Sequence, residues 1–531
     1  MAMNYTEEQL NNFDKATLVQ LFLVQQDQLK EIDNKLQILI EQVAVLNNKK
    51  FGSSSEKLTD SNQLSFTEIN GEIVLFFNEA EVLADEEAKE QSATKTRSKK
   101  RVGKRAEDLK NLPKVLVEHK MTEEELREAF GEDSWKQLPD EVYSRYKFTP
   151  AKVEVEEHHV AVYASKKTDK MVKADHPGYL LRNSLVSPSL EAAIMNGKYV
   201  NGAPFARMEK EFERYGLPIT RQNMANWTIH CGERYLAIIY DYLHERLLEY
   251  HVIQADETTV LVNHDGRDAG AKSFMWAYRT GQNYTDKPIA LFDYQKTRKI
   301  DHPRDFLEGF TGYCVTDGYQ VYHTLENEQE DLKIAGCWAH ARRRYDEALK
   351  AVPKAERSKS LAHLALKQIQ AIYREESKLK ALTPEERLQL RTLNVKPLVE
   401  AYFKWVKQNV DKVLKKSKTH SGLTYSINQE KYLKRFLEDG EVPMDNNAAE
   451  QTIRSFCIGR RNWMVIDTIS GAKASAIIYS IAETAKANNL KPYEYYEHLL
   501  TEIPKHLEDT GRGFLEDLLP WSDKLPANCR K

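Results

Sequence analysis

The middle of this sequence predicts an α/β protein built on one mixed sheet, and three observations carry that reading. Three β-type runs, His251–Asp256, Ser273–Tyr278 and Ile289–Tyr294, are separated by Gly/Asp-rich turns, the pattern of an antiparallel meander. Strand and helix then alternate: a short helix from Pro303 to Gly309, a strand ending at Asp317, a helix from Gly318, a strand from Lys333 to Cys337 and another helix. From about Tyr345 to Asp439 the strand signals stop and the chain reads as helix throughout, rich in Leu, Lys, Glu and Gln. Antiparallel strands followed by strand–helix alternation fit an RNase H-like mixed sheet, here carrying a large α-helical insertion.

With 531 residues the chain is too long for one core. Its 41% hydrophobic content supports globular cores, and 30% charged residues with a mean hydropathy of −0.62 describe a polar surface. No apolar run reaches membrane-spanning length and Met1–Thr6 is not a signal peptide, so the reading is a cytoplasmic protein with no membrane partner. Cys231, Cys314, Cys337, Cys457 and Cys529 form no C-x-x-C pair, which argues against a disulfide framework or a thiolate zinc site. The net charge of −3 does not advertise a nucleic-acid binder, but phosphate contacts need local basic clusters rather than a global excess.

In chain order, residues 1–50 read as a coiled-coil, leucine-zipper-like helix. Leu18, Phe22, Leu29, Ile32, Leu36, Leu39, Val43 and Leu46 recur at three- and four-residue steps, with Gln25 interrupting the seam. Self-association into a homodimer or higher oligomer is the favoured reading, and packing on the protein's own core is the alternative. Residues 51–107 read as a flexible acidic, then basic, linker. Seven of the eleven residues from Lys95 to Arg105 are basic, and Lys99, Lys100, Arg101, Lys104 and Arg105 are candidate DNA contacts or a solvated face. Residues 108–185 form a small mixed subdomain in which alternation over Lys152–Tyr163 predicts a strand. There the adjacent His158 and His159 would point to opposite faces, poor geometry for a metal. Residues 186–249 are helical. Tyr215–Trp227 reads as a turn and a helix capped by Thr220, either a helix-turn-helix DNA reader or a plain helical hairpin. The catalytic core spans 250–344 and 441–500, split by the insertion at 345–440, and 501–531 is a C-terminal tail.

Three acidic residues stand in distinctive settings. Asp256 and Asp317 close β-type runs, and Glu450 follows Asp445-Asn446-Asn447, an N-cap cluster, on a helix that also carries Arg454 one turn on. Any one of them alone reads as a turn or surface residue. Delivered by two strands and one helix around one sheet, the three can converge on a pair of Mg2+ ions, hard cations that want oxygen ligands and that drive in-line phosphoryl transfer. Asp256 would bridge the ions while Asp317 and Glu450 each hold one side. Cations cluster on the same elements: His340, Arg342 and Arg343 begin the helix after the fifth strand, and Arg460 and Arg461 follow the Glu450 helix. Arginine suits phosphate oxygens geometrically. His340 either contacts the scissile phosphate or packs, and Trp338 and Trp463 read as core.

These motifs resemble the DDE transposases of the insertion-sequence-66 family of bacterial mobile elements. The resemblance is carried by Lys50–Lys57, Gln254–Thr258, Thr316–Tyr319, Cys337–Arg343, Asp445–Arg454, Ile458–Trp463, Ser470–Ala472, Thr484–Asn489 and Leu519–Trp521. It implies Asp256, Asp317 and Glu450 as the catalytic and metal-binding triad, Mg2+ as cofactor with Mn2+ able to substitute, and double-stranded DNA, as transposon ends and target, as substrate. It also implies small accessory proteins of the same element as partners. Members of that family carry a Cys/His zinc module before the core; here no cysteine precedes Cys231 and the place expected for one near the end of the strand reads Tyr163-Ala164-Ser165-Lys166, so no zinc is expected.

The sequence therefore points to an enzyme that cleaves element ends and uses the freed 3′-hydroxyl to attack target DNA. Its rivals are a catalytically inactive DNA-binding accessory or regulatory protein, and an RNase H-like nuclease that cuts without joining.

Overall fold

The computed structural model describes residues 178–531 with the exception of 269, 354 and 355, together with 152–164, 171–175, the backbone of the short antiparallel pair Thr67–Ile69 and Glu72–Val74, and isolated earlier positions. The basic run with Lys99, Lys100, Arg101, Lys104 and Arg105 lies outside the described residues, as does most of the predicted heptad helix. Phe22, Leu29 and Ile32 of that heptad are described; they are helical and exposed. The larger of two compact units takes in Val155–Lys531 and holds the central sheet with its covering helices.

Six strands form the central sheet: β1 (Val252–His264), β2 (Lys272–Thr280), β3 (Ala290–Gln295), β4 (Gly312–Thr316), β5 (Leu332–Gly336) and β6 (Val465–Thr468). The order is β3-β2-β1-β4-β5, antiparallel through the first three and parallel through the last three, the mixed sheet of an RNase H-like fold. Helix α5 (Asp301–Phe306) and helix α6 (Gln320–Glu328) flank β4 in sequence. Two features depart from expectation. β1 does not stop at Asp256 but runs on to His264, because β2 pairs with it as far as Leu261 and β6 joins its far end in parallel. β6 itself carries no sequence signal, being only four residues long and half exposed.

Helices cover both faces of the sheet, which is why Met275, Trp276, Ala277 and Tyr278 are all fully buried and β2 reads as a continuous apolar run. The edge strand β3 is covered by helix α14 (Ile469–Ala487). Ser480 and Thr484, one turn apart on α14, bond the edge backbone: Phe292 N–H donates to Ser480 Oγ (2.7 Å), Ala290 N–H to Thr484 Oγ1 (3.0 Å), and Thr484 Oγ1 donates back to the Ala290 carbonyl (2.9 Å). Asn488, another turn on, donates to the Pro288 carbonyl (2.8 Å). Helical spacing of four thus matches strand spacing of two, and the edge backbone at Pro288, Ala290 and Phe292 is engaged by side chains rather than open to another strand.

Ahead of the sheet, helix α1 (Pro188–Met195) packs on α15 (Pro492–Glu502), helix α2 (Phe205–Arg214) packs on α3 (Arg221–Cys231), and α3 and α4 (Ala237–Leu248) pack on α14. Thr220 caps α3, its hydroxyl accepting from Asn223 N–H (3.2 Å). The strand predicted over Lys152–Tyr163 is not formed: residues 152–161 are irregular and mostly exposed, and only Val162–Ala164 pairs, with Met171–Lys173. Alternation without a face to bury does not make a strand. His158 and His159 are exposed, each beside a glutamate. The C-terminal segment is docked on the same core through the buried Leu515, Leu518, Leu519, Leu525 and Cys529.

Glu191 of α1 is fully buried, with one oxygen accepting from Thr228 Oγ1 (2.8 Å) and the other, Oε2, left without a partner. Burial pushes its carboxyl up to about 8 from an ordinary 4.5. The folded protein therefore holds a proton that the unfolded chain releases between those values, and stability falls as pH rises through that window. Glu191→Gln keeps the Thr228 contact and removes the titration. Its thermal midpoint should match the parent's near pH 5 and exceed it by a few degrees above about pH 8; equal midpoints at both would show that Glu191 is not buried as described.

Residues 357–437 are helical, with helices α8 (Leu361–Ser377), α9 (Pro384–Leu390), α10 (Lys396–Asn409), α11 (Lys418–Asn428) and α12 (Glu430–Lys434) following α7 (Trp338–Ala351). Their apolar faces form a second core with Val252, Tyr313, Val315 and Ala335 of the sheet. Trp338 lies in it, its indole N–H donating to the Leu433 carbonyl (2.8 Å). The exit from this region is fixed by two buried arginines one turn apart. Arg387 donates to the Gly440 carbonyl (2.8 Å), and Arg391 to the carbonyls of Phe436 and Asp439 (both 2.7 Å). Helix α13 (Asn447–Trp463) starts just beyond that loop.

Candidate active site

Register puts the two aspartates together. Gln254 of β1 pairs with Val315 of β4 in parallel, so both side chains project from one face. Asp256 stands two residues further along β1, and Asp317 two residues beyond Val315, one past the end of β4, near enough for its charge to bear on the Asp256 carboxyl. Asp317 follows the last residue of β4, with Gly318 at φ +90° turning the chain, a conformation that favours glycine. A Cβ on Gly318 would also stand 3.0 Å from the Tyr425 hydroxyl of α11. That hydroxyl donates to the Asp317 carbonyl (3.0 Å), and Tyr319 N–H donates to Asp317 Oδ1 (2.9 Å).

Glu450 arrives on α13, which a buried amide pair fastens to β1. Gln254, fully buried, donates through Nε2 to the Asp445 carbonyl and to Asn446 Oδ1 (both 3.2 Å), while its Oε1 accepts from Gln282 N–H (2.8 Å). Asn446, also fully buried, donates through Nδ2 to the Ala255 carbonyl (2.7 Å), and its backbone N–H donates to Cys337 Sγ (3.1 Å). The expected cap is thus corrected: Asn446 stands at the N-cap position but its side chain reaches into the sheet, and Asp445 Oδ1 accepts from Asn447 N–H instead (3.2 Å). Further along, Arg279 of β2 donates to the Ala448 carbonyl (3.3 Å), so α13 lies along the sheet.

The electrostatics are those of crowded acids. Burial, and then the negative charges of Glu257, Asp317 and Glu450, hold the Asp256 carboxyl well above the usual carboxylate range. Glu257 points to the opposite face of β1 and is buried, which pushes it up to about 7 against the opposing pull of Arg298. Arg298 pairs with Glu257, lies 3.5 Å from the centre of the Tyr319 ring, and accepts the Tyr319 hydroxyl on its carbonyl (2.9 Å). Glu257, Arg298 and Tyr319 thereby brace the Asp317 turn from behind. The Glu450 carboxylate is held by Arg343 (3.1 Å to Oε2), and its Oε1 has no hydrogen-bond partner, facing His340 Nδ1 at 3.7 Å. Burial lowers the His340 imidazole from its ordinary value.

These residues fit divalent cations. All the carboxylates are hard oxygen donors, Glu450 Oε1 is an orphaned acceptor, and a cation would relieve the mutual repulsion that raises Asp256. Among the described residues, the donors already within 4.8 Å of one another are those of Cys337, His340 and Glu450. Cys337 suits Mg2+ poorly: burial pushes its thiol up to about 12, and its sulfur is engaged by Asn446. A cation held by Asp256 would compete with a proton for this raised carboxyl, so Mg2+ or Mn2+ affinity should rise with pH and binding should release protons. Calorimetric titrations in buffers of different ionisation enthalpy read this directly; no proton release, or release that persists in Asp256→Asn, contradicts it.

The cations read from the sequence are distributed unevenly. Arg342 and Arg343 are exposed on α7 and Arg454 on α13. Arg460 turns inward, its guanidinium donating to Thr258 Oγ1 (3.1 Å) and the Thr259 carbonyl of β1. Arg461 is exposed next to it. Trp463 packs against the core beneath the Lys198 ammonium, 3.9 Å from its ring centre. Gln254, Glu257 and Arg298 had no assigned role in the sequence and Asn446 only that of a cap, although all but Arg298 sit inside the family-like motifs.

The family model described as "Transposase IS66 family" matches residues 183–474, "IS66 C-terminal element" matches 480–521, and "Transposase C of IS166 homeodomain" matches 38–117. Among curated proteins, the chain is 30% identical over 375 residues to the uncharacterized protein y4qI of Sinorhizobium fredii, covering 69% of this chain and 68% of that one. It is 25% identical over 361 residues to the uncharacterized protein y4hP of the same organism, covering 66% of this chain and 64% of the relative.

Proposed function

Because the chain belongs to the IS66 family of DDE transposases, we propose that it binds the ends of its element as duplex DNA, hydrolyses a phosphodiester at each end, and joins the resulting 3′-hydroxyl to target DNA. The observation that supports this reading is the parallel pairing of β1 with β4 two residues before Asp256 and Asp317, with the Glu450 helix fastened to β1 through Gln254 and Asn446. Two Mg2+ ions held by Asp256, Asp317 and Glu450, or Mn2+ in their place, would activate the attacking oxygen and stabilise the leaving one. The protein's own part is to orient. The buried amide pair fixes the Glu450 helix, the Glu257–Arg298–Tyr319 brace fixes the Asp317 turn, and Arg343, paired with Glu450, would offer its guanidinium to a phosphate oxygen. The heptad helix would bring two copies, and so two ends, together.

A nuclease that cuts without joining would need the same trio, and pre-cleaved ends separate the two readings. The full chain, a duplex of the element's end with an exposed 3′-hydroxyl, a supercoiled target plasmid and Mg2+ should yield joined products. With Ca2+ in place of Mg2+ the ends should be bound but not joined. Cutting of uncleaved ends without any joining of pre-cleaved ones would contradict the proposal.

A further inference from the structure

We propose that a basic groove between the 180–186 loop and helix α3, remote in sequence from the carboxylates, is a duplex-DNA binding surface of this protein, with Arg182 and Arg234 on phosphates. The inference rests on the reading of the chain as a transposase acting on duplex DNA. The groove has a volume of about 360 Å3, and its polar wall consists of Arg182, Asn183, Ser184, Asn226, His230 and Arg234 with no carboxylate among its lining residues. Guanidinium and amide N–H groups facing one hollow without an acid to neutralise them match a phosphodiester, whose oxygens accept and carry charge.

Both walls are built rigidly. On the helix side, Met224, Thr228 and Cys231 are buried and Thr228 is bonded to buried Glu191, which leaves Gln222, Asn226 and His230 of α3, and Arg234 of the wider helical turn Gly232–Leu236 that continues it, exposed at four-residue steps. Those four positions form one stripe roughly 18 Å long, enough to follow a DNA backbone. On the loop side, Leu180, Leu181 and Val186 are buried, and the Tyr235 hydroxyl donates to the Leu180 carbonyl. Ser184 N–H closes a turn on the Leu181 carbonyl (3.1 Å), inside which Asn183 takes φ 60° and Arg182 faces outward. Trp227 packs into two cores and forms floor rather than a stacking platform, which favours a duplex over an unstacked single strand. A surface fixed before binding loses little entropy when occupied.

The test is fluorescence anisotropy of the full chain with a labelled duplex of about thirty base pairs and arbitrary sequence, in metal-free buffer across a salt series. Arg182→Ala/Arg234→Ala should weaken binding about tenfold or more and flatten the slope of log affinity against log salt by about 2, one step per lost phosphate contact. Arg182→Lys/Arg234→Lys should restore most of the slope. Asn226→Glu, an exposed position that adds a repulsive charge without touching the core, should weaken binding as well. Unchanged affinity and slope in the double alanine variant and in Asn226→Glu, with parental thermal midpoints, would overturn the proposal. So would a loss confined to a single-stranded probe. The assay contains no metal and reads no cleavage, so failure of the catalytic assignment would leave it standing, and the reverse also holds.

Discussion

Asp256→Asn should eliminate Mg2+-dependent cleavage and joining while leaving end binding near the parental level. Asn keeps the size of the side chain and its Oδ1, which accepts from Glu257 N–H, so the strand is not disturbed. What it removes is the charge at the centre of the acidic group, where Glu257, Asp317 and Glu450 all bear on one carboxyl. Loss of an outer-shell partner typically costs a metal site 10–100-fold, and loss of the central ligand should exceed about 100-fold. The neutral amide also relieves repulsion, so the metal-free variant should be no less stable than the parent, a pairing of lost activity with kept stability that a merely structural residue does not give. Gel assays of cleavage and a thermal melt check both. Measurable joining by Asp256→Asn would remove the residue from the site.

Breaking the lock between β1 and α13 should have the second largest effect. Asn446→Ala deletes the donor to the Ala255 carbonyl and the acceptor for Gln254 Nε2, leaving buried partners unsatisfied. The expected cost is about 1–3 kcal/mol of stability together with a 10–100-fold loss of cleavage, because Glu450 would no longer be held against β1. Gln254→Leu should do much the same. In a double-mutant cycle the two losses should not add, since both remove one interaction. Losses that add fully in both cleavage and stability would mean that the amides act independently. Parental cleavage by Asn446→Ala would show that Glu450 is positioned by something else.

The sheet was legible because its strands are buried on both faces and therefore read as apolar runs, such as Phe274–Tyr278. The insertion was legible because its helices carry one apolar stripe each. The length of β1 was not: beyond Asp256 it is half exposed, and what extends it is pairing with β2 and with a short strand just over two hundred positions away. Lys152–Tyr163 failed in the opposite sense, since its alternation had nothing to pack on. At the site, Asp256, Asp317 and Glu450 were legible as carboxylates placed on elements that can meet. Asn446 and Gln254 were not, because a turn amide reads as a local cap until the register shows a strand carbonyl within its reach. Arg460 reads as a surface cation for a similar reason: the sequence shows its charge, and only the helix's position on β1 shows that its donors are used there.

The central claim is that three carboxylates far apart in sequence share one cation site, and metal-directed backbone cleavage tests it most directly. With Fe2+ in place of Mg2+ and ascorbate as reductant, hydroxyl radicals formed at the bound ion should cut the full-length chain at three separated places, near Asp256, near Asp317 and near Glu450, and excess Mg2+ should suppress all three. Cuts confined to the neighbourhood of Cys337, His340 and Glu450, with the 256 and 317 segments untouched, would place the ion elsewhere and contradict the account.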